Sequence, residues 1–597
     1  MNKKKKIIIV VSILAFITIF AILIMIANNI NKNNSQNVEA TNIELSLDSS
    51  DINTSASNVS SYITLADNNT KVNGSGVTVS ENTVTITSGG NYYISGTLSN
   101  GNIVITTDKN EEVQLILSNV SITSSQTSAI NCTQASKLII TLEEGTSNYL
   151  EDATTYKYSS SSETEPDATI FTKSDLTING AGSLTVQANY EDGIVSKDSL
   201  KIVSGNITIT SADDGIRGKD SVSIAADVTL NITSNGDAIK STNTEDSTLG
   251  YVLVEGGNIT INSKQDAIQA ETILSIKGGT INIITGGGSS ITSTSSSSWG
   301  SWGMASSNSS SSKSDTSSSK GLKAGSQINI ENANITIDSS DDSIHSNNNI
   351  IIRSGIINIS SGDDGIHADS NLKIDDGTIT ISKSYEGLES VYIEINGGVI
   401  VVNSEDDGVN SAGGNDSSST NGRVGQNNFS STNSNNKICI NGGTLTVNAQ
   451  GDGLDANGSI YIAGGTITVY GPTENDNGSL DYDSECQIIG GKVILIGSSG
   501  MLQAPSTSST QCSITFTQTG SSGDNIVLTD SNGNEIVSFT AQKIYGAMTI
   551  SAPEMKQGET YIVKINGSTV KTVSQSSIVV SSGISNFGGI MQGGKNK

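Results

Sequence analysis

Asp363-Asp364-Gly365-Ile366-His367-Ala368-Asp369-Ser370-Asn371-Leu372-Lys373-Ile374-Asp375-Asp376-Gly377-Thr378-Ile379-Thr380-Ile381 contains the plan of the chain in one unit. An acidic turn leads to a short alternating strand, Leu372-Lys373-Ile374. A Gly-containing turn then leads to a second one, Thr378-Ile379-Thr380-Ile381. Period-two alternation sends every other side chain to one face, so each strand offers an apolar side that needs a partner. The same unit recurs as Leu200-Lys201-Ile202 with Asn206-Ile207-Thr208-Ile209, and as Ile460-Tyr461-Ile462 with Thr466-Ile467-Thr468-Val469.

Aligning the apolar residue after the acidic turn gives Ile194, Ile216, Ile239, Ile268, Leu322, Ile344, Ile366, Leu388, Val409 and Leu454. The base spacing is 22, and polar insertions near 242–249, 286–320 and 411–436 account for the longer intervals. A unit this short cannot bury its own apolar side, so units must stack at about 4.8 Å into ladders of Ile, Val and Leu. The expected fold is all-β, a right-handed parallel β-helix with rungs of about 22 residues. A propeller blade needs roughly 40 residues, which disfavours that rival. Composition agrees: 62 Gly, 4 Pro and 4% aromatic residues suit many short strands separated by turns.

The expected organisation follows. Residues 1–30 form a membrane anchor or signal segment and 31–59 a polar linker. Residues 60–150 share the strand pattern without the acidic turn and cap the start. Residues 151–510 are the β-helix, 511–580 a small antiparallel β unit covering its end, and 581–597 a tail. Lys3–Lys6 precede the apolar run Ile7–Ala27, which as a helix spans about 31 Å, one hydrocarbon thickness. The lysines stay cytoplasmic, so the rest of the chain lies outside the membrane. Val38-Glu39-Ala40 resembles a signal-peptidase site but lies far beyond the run, which favours an uncleaved anchor over secretion. A net charge of −27 excludes nucleic acid as a direct partner. Cys132, Cys439, Cys486 and Cys512 lack metal-site spacing and are expected as isolated strand residues.

Two residues before the aligned apolar position stand Asp192, Asp214, Asp237, Asp266, Lys320, Asp342, Asp364, Glu386, Asp407 and Asp452. Stacking makes them a column of like charge, in which neighbours repel by roughly 1 kcal/mol in water and several times more at a protein surface. Each Asp has turn amides within reach as one remedy. For the set, bound Ca²⁺ is expected, because a hard cation takes several carboxylate and carbonyl oxygens. Doubled acids strengthen this: Asp213-Asp214, Asp341-Asp342, Asp363-Asp364 and Asp406-Asp407.

Directly after the apolar residue runs a second column, Arg217, Lys240, Gln269, Lys323, His345, His367, Glu389, Asn410 and Asp455, basic first and acidic later. Small residues follow it, which marks the strip as open to an extended ligand. Arg217, Lys240, Lys323, His345 and His367 are therefore ligand-binding candidates, with ion pairing to the acidic column as the plainer alternative. Trp299 and Trp302, in the serine-rich insertion, are candidates for stacking on sugar rings.

Tyr190-Glu191-Asp192-Gly193-Ile194, Ala212-Asp213-Asp214-Gly215-Ile216-Arg217-Gly218-Lys219-Asp220, Asp452-Gly453-Leu454-Asp455 and Gly500-Met501-Leu502-Gln503-Ala504-Pro505 give the chain its resemblance to a known family. Over about residues 60–580 it resembles bacterial carbohydrate-binding β-helix proteins. Their fold looks like that of calcium-containing polysaccharide lyases, and they are associated with binding cellulose and acidic, pectin-like sugars. The resemblance implies a cell-surface polysaccharide binder with calcium at Asp213, Asp214 and their counterparts. Glu386 and Lys320 depart from the pattern. The alternatives are a calcium-dependent lyase, with Lys240, Arg217 or Lys219 as the base of a β-elimination, and a structural adhesin without a sugar ligand.

Overall fold

The computed structural model describes residues 38–290, 318–412 and 435–582, and every regular element among them is a β-strand. The ten aligned apolar residues pair in parallel register, each with the next. Ile194 lies beside Ile216, Ile216 beside Ile239, and the series runs on to Val409 beside Leu454. Two further ladders run alongside. One carries Leu200, Val222, Val252, Leu274, Ile328, Ile350 and Leu372. The other carries Ile207, Leu230, Ile259, Ile281, Ile335, Ile357 and Ile379.

The inward residues of all three ladders form one continuous apolar core from Ile63 to Leu495. Burying each of these side chains contributes about 1.5–3 kcal/mol before chain entropy is subtracted. Between the second and third ladders the backbone turns through glycines in the left-handed region, such as Gly398 at φ +82°. A Cβ there would also lie 2.6 Å from the carbonyl oxygen of Gly377 on the preceding rung. Close stacking therefore admits only glycine.

At the start, Val59–Leu65 pairs antiparallel with Lys71–Gly74, and Val77–Ser80 with Thr83–Ile86, before parallel pairing takes over. At the end, Lys492–Gly497 pairs antiparallel with Tyr545–Ser551, which stops the parallel ladder. Beside it Glu535–Thr540, Asn525–Asp530, Thr560–Ile565 and Ser568–Ser574 form a four-stranded antiparallel sheet. Its core includes Tyr470, Ile494 and Ile496 from the last rungs. The four cysteines are buried and unpaired with one another.

One segment differs from expectation. Residues 39–53, read from sequence as part of a polar linker, lie as a strap across the second ladder. Thr41 N–H donates to Gln327 Oε1 at 2.7 Å, and Gln327 and Asn329 donate back to the carbonyls of Glu39 and Thr41. Further along, Glu44 meets Lys277 at 3.3 Å. Asp51, fully buried, meets Lys137 at 2.6 Å and Lys201 at 3.0 Å. Asn179 and Gln114 donate to the carbonyls of Asp51 and Asn53. The apolar run Ile7–Ala27 lies outside the described residues.

Candidate functional site in the acidic turns

The acidic column is a hydrogen-bonded ladder. Asp192 Oδ1 accepts from the backbone N–H of Asp214 at 3.0 Å, Asp214 from Asp237 at 2.8 Å, Asp237 from Asp266 at 2.9 Å and Asp266 from Lys320 at 2.7 Å. The pattern continues from Asp342 to Asp364, Asp364 to Glu386 and Asp407 to Asp452. Each carboxylate thus satisfies a buried amide that would otherwise be orphaned at a turn. The intervening residue must be small: a Cβ at Gly215 would sit 2.5 Å from the carbonyl oxygen of Ala238.

That arrangement uses one oxygen of each carboxylate and leaves the other to the second column, whose sign changes along the chain. In the earlier rungs it supplies cations. Arg217 bonds Asp192 and Asp167 at 2.5 and 2.7 Å. Lys240 lies 2.7 Å from Asp237 and 3.7 Å from Asp214, and Lys323 lies 2.9 Å from Asp266. Lys320, which stands in the acidic column itself, reaches Asp341 at 3.0 Å and Asp342 at 2.5 Å. Burial works against the charge on Arg217, Lys240 and Lys320, and the carboxylates more than offset it, holding all three firmly protonated. Asp342 shows the converse. Burial disfavours its charge, yet Lys320 and His345 hold it well below the usual carboxylate range.

From Asp364 onward the neighbouring column turns acidic at Glu389 and Asp455, with His367 3.6 Å from Asp364 and Asn410 donating to Glu386 at 2.7 Å. Burial, then Asp363 and Glu389, pushes Asp364 well above the usual range. Burial, then Glu389 and Asp407, does the same to Glu386. Asp407 is raised by burial and by Asp455 and Asp452. Asp455 is raised by burial and by Asp452 and Asp481, and burial lifts Asp452 to about 7. One oxygen from each of Asp407, Asp452 and Asp455 lies within 4.8 Å of the others. No Lys, Arg or His among the described residues forms an ion pair with these three. Oxygens bound to one Ca²⁺ at 2.3–2.6 Å lie within about 5 Å of each other, so this donor set fits a hard divalent cation.

Beside these same rungs runs a groove of 530 Å³ whose lining includes Ser382, Asn403, Glu405, Asn448, Gln450 and Lys543. Glu405 and Gln450 each stand two residues before a column acid, Asp407 and Asp452. Burial pushes Lys543 down to about 8, while the carbonyls of Ala449, Tyr470 and Gly471 accept from its ammonium.

The structure therefore separates the residues expected to act together. Asp192, Asp214, Asp237, Asp266 and Asp342 are met by the protein's own cations, with Asp341 sharing Lys320. Asp364, Asp407 and Asp452 are not met by Lys or Arg among the described residues. Asp213, Asp363 and Asp406 each directly precede a column acid. The second column is not an open strip at the histidines: His345 and His367 pair in register and are buried at 4% and 0% exposure. Arg217, Lys240 and Lys323 are taken up by carboxylates, and as protonated partners Arg217 and Lys240 are poor general bases. Lys219, half exposed and 3.9 Å from Glu245, stands apart. Trp299 and Trp302 lie outside the described residues. Asp167, Asp455 and Asp481 join the site beyond the residues singled out as its ligands. Asp455 was visible in the second column, whereas Asp167 and Asp481 belong to rungs that lack the Asp-Gly-Ile signature.

A family model described as carbohydrate-binding domain-containing protein matches residues 80–365 and 364–593. A carbohydrate-binding domain-containing protein of Acetivibrio thermocellus is 39% identical over 222 residues, covering 37% of this chain and 77% of that protein. A solved structure, described as the polysaccharide lyase-like protein from C. thermocellum in a gadolinium derivative, is 36% identical with a TM-score of 0.38. That match covers 38% of this chain and 92% of the other.

Proposed function

The chain belongs to the family of carbohydrate-binding domain-containing proteins, and on that premise we propose that it is a calcium-dependent binder of cellulose or of acidic, pectin-like polysaccharide, anchored outside the cell membrane. The observation that carries the reading is the convergence of Asp407, Asp452 and Asp455 without a cationic partner among the described residues, beside a polar groove on the same rungs. Asp407, Asp452 and Asp455 would hold Ca²⁺, which neutralises the crowded carboxylates and offers vacant coordination sites to uronate oxygens. The amides of Asn403, Asn448 and Gln450 suit the hydroxyls of a sugar chain lying along the groove.

The same proposal includes the winding. The three parallel ladders, each advancing by about 22 residues per rung, support a right-handed parallel β-helix, the hand that parallel crossovers nearly always take. The apolar run Ile7–Ala27 supports the extracytoplasmic placement.

The test is retention of the full chain on immobilised polygalacturonate and on cellulose, with Ca²⁺ and with a chelator. Retention on polygalacturonate that chelator abolishes and Ca²⁺ restores is the expected result. Retention on neither support, or retention indifferent to the chelator, overturns the reading.

A further inference from the structure

The two histidines of the chain lie in adjacent rungs, and their rings meet edge-to-face with centroids 4.9 Å apart. Around them the acidic column changes character. His345 Nδ1 stands 3.0 Å from Asp342 Oδ2. His367 Nδ1 stands 3.6 Å from both Asp364 Oδ2 and Glu389 Oε2. These donors form two overlapping sets that share His367, each with ligand atoms within 4.8 Å of one another.

We propose that His367, Asp364 and Glu389 bind a transition-metal ion of the zinc class, with His345 beside it held by Asp342. The spacing is that of such a site. Zinc bonds of 2.0–2.1 Å in tetrahedral arrangement place neighbouring ligand atoms roughly 3.3 Å apart, close to the separations around His367 Nδ1. The donor chemistry separates this ion from the hard cation proposed at Asp407. Imidazole nitrogen suits zinc, cobalt, nickel and copper, whereas calcium takes oxygen.

Three features prepare the ligands. Asp364 Oδ1 is already committed to the backbone N–H of Glu386 at 3.0 Å, which aims Oδ2 at the ion. His367 Nε2 faces Asp369 Oδ1 at 3.6 Å, on the far side of the ring from Nδ1. A metal-binding imidazole characteristically turns its second nitrogen toward such a carboxylate, which selects the tautomer that leaves Nδ1 as ligand. Asp364 and Glu389 bring two carboxylates to the set, matching the charge of a divalent ion.

The experiment is titration of Co²⁺ into the full chain in detergent after chelation. One Co²⁺ per chain should bind with the intense visible bands of four-coordinate cobalt. Zn²⁺ should displace it and a large excess of Ca²⁺ should not. His367→Gln should abolish the bands. Because His367 is fully buried, Asp369→Asn provides a milder second variant, expected to weaken cobalt binding about tenfold to hundredfold. Only the weak bands of six-coordinate cobalt in the unmodified chain, displacement by Ca²⁺, or full-strength bands in both variants would overturn the proposal. The polysaccharide assay is independent, so its failure and the failure of this site are distinguishable.

Discussion

The backbone N–H of Asp237 donates to Oδ1 of Asp214 one rung earlier, at 2.8 Å, while Lys240 spans the free oxygens of both carboxylates. Charge and hydrogen-bond acceptance are thus separate duties of one side chain. Asp214→Asn keeps an acceptor for the amide, and Asp214→Ala removes it. The Ala variant should lose about 1–3 kcal/mol more than the Asn variant, the cost of an orphaned buried amide. Urea midpoints decide this, and equal losses would show that the amide bond contributes nothing.

Lys320 occupies a column position where the other rungs place an acid, and it is buried against Asp342 and the partly exposed Asp341. Lys320→Met removes the cation and leaves the carboxylates buried, which should cost about 3–5 kcal/mol. Added Ca²⁺ should recover part of that loss, raising the variant's melting temperature more than that of the parent. A variant that stays insensitive to Ca²⁺ would show that Lys320 does not stand in for an ion.

Asp452, lifted by burial to about 7, gives a pH signature together with Asp407 and Asp455. Between the unfolded value near 4 and the folded value near 7, the native state binds more protons than the unfolded chain. In chelator, stability should therefore fall as pH rises from about 4, by about 1.4 kcal/mol for each pH unit up to about 7 from Asp452 alone, with Asp407 and Asp455 adding to the decline. A bound cation replaces the proton at these three acids, so Ca²⁺ should flatten their share of the decline and leave that of Asp192 and Asp237, which burial lifts to about 7 and about 6. Parallel curves with and without Ca²⁺ would sink the prediction.

Asp452→Asn combined with Asp455→Asn removes charge where the column has no cation of its own among the described residues. Chelator sensitivity of the melting temperature should shrink, and calcium-dependent retention on polygalacturonate should be lost. Asp237→Asn, in the half compensated by Lys240, is the control and should leave both intact. Loss of retention in the control as well would disperse the site over the whole column.

Asp51 is buried between Lys137 and Lys201 and also accepts from Thr177 at 2.5 Å. Asp51→Ala strands Lys137 without its closest partner and should destabilise the fold by about 3–5 kcal/mol. Protease cleavage within residues 39–53 should accelerate if the strap detaches. An unchanged digestion pattern would mean the strap is held elsewhere.

The register of the ladders was legible because it rests on two short-range regularities, alternation within a strand and a spacing of 22 between Ile366 and its neighbours on either side. The acidic column was legible for the same reason. How it is neutralised was not, because Arg217 meets Asp192 on the previous rung, 25 residues away. That pairing becomes visible only once the rungs are stacked. The strap was hidden for a stronger reason. Its partners Gln327, Asn329, Asn179 and Gln114 are single polar residues on the outward side of strands, with no pattern linking them to Thr41 or Asn53. The histidines were legible as neighbours, and their burial depended on how the turns close over them.

The strap also sets a clock. Thr41 is separated from its partner Gln327 by 286 residues, which at about 5–20 residues per second is roughly 15–60 s of synthesis. The earliest part of the strap must wait while rung after rung assembles with its outward polar row uncovered. Its docking is a late event, and a chain that stalls before Gln327 is made is left with a loose leading segment that proteases can recognise.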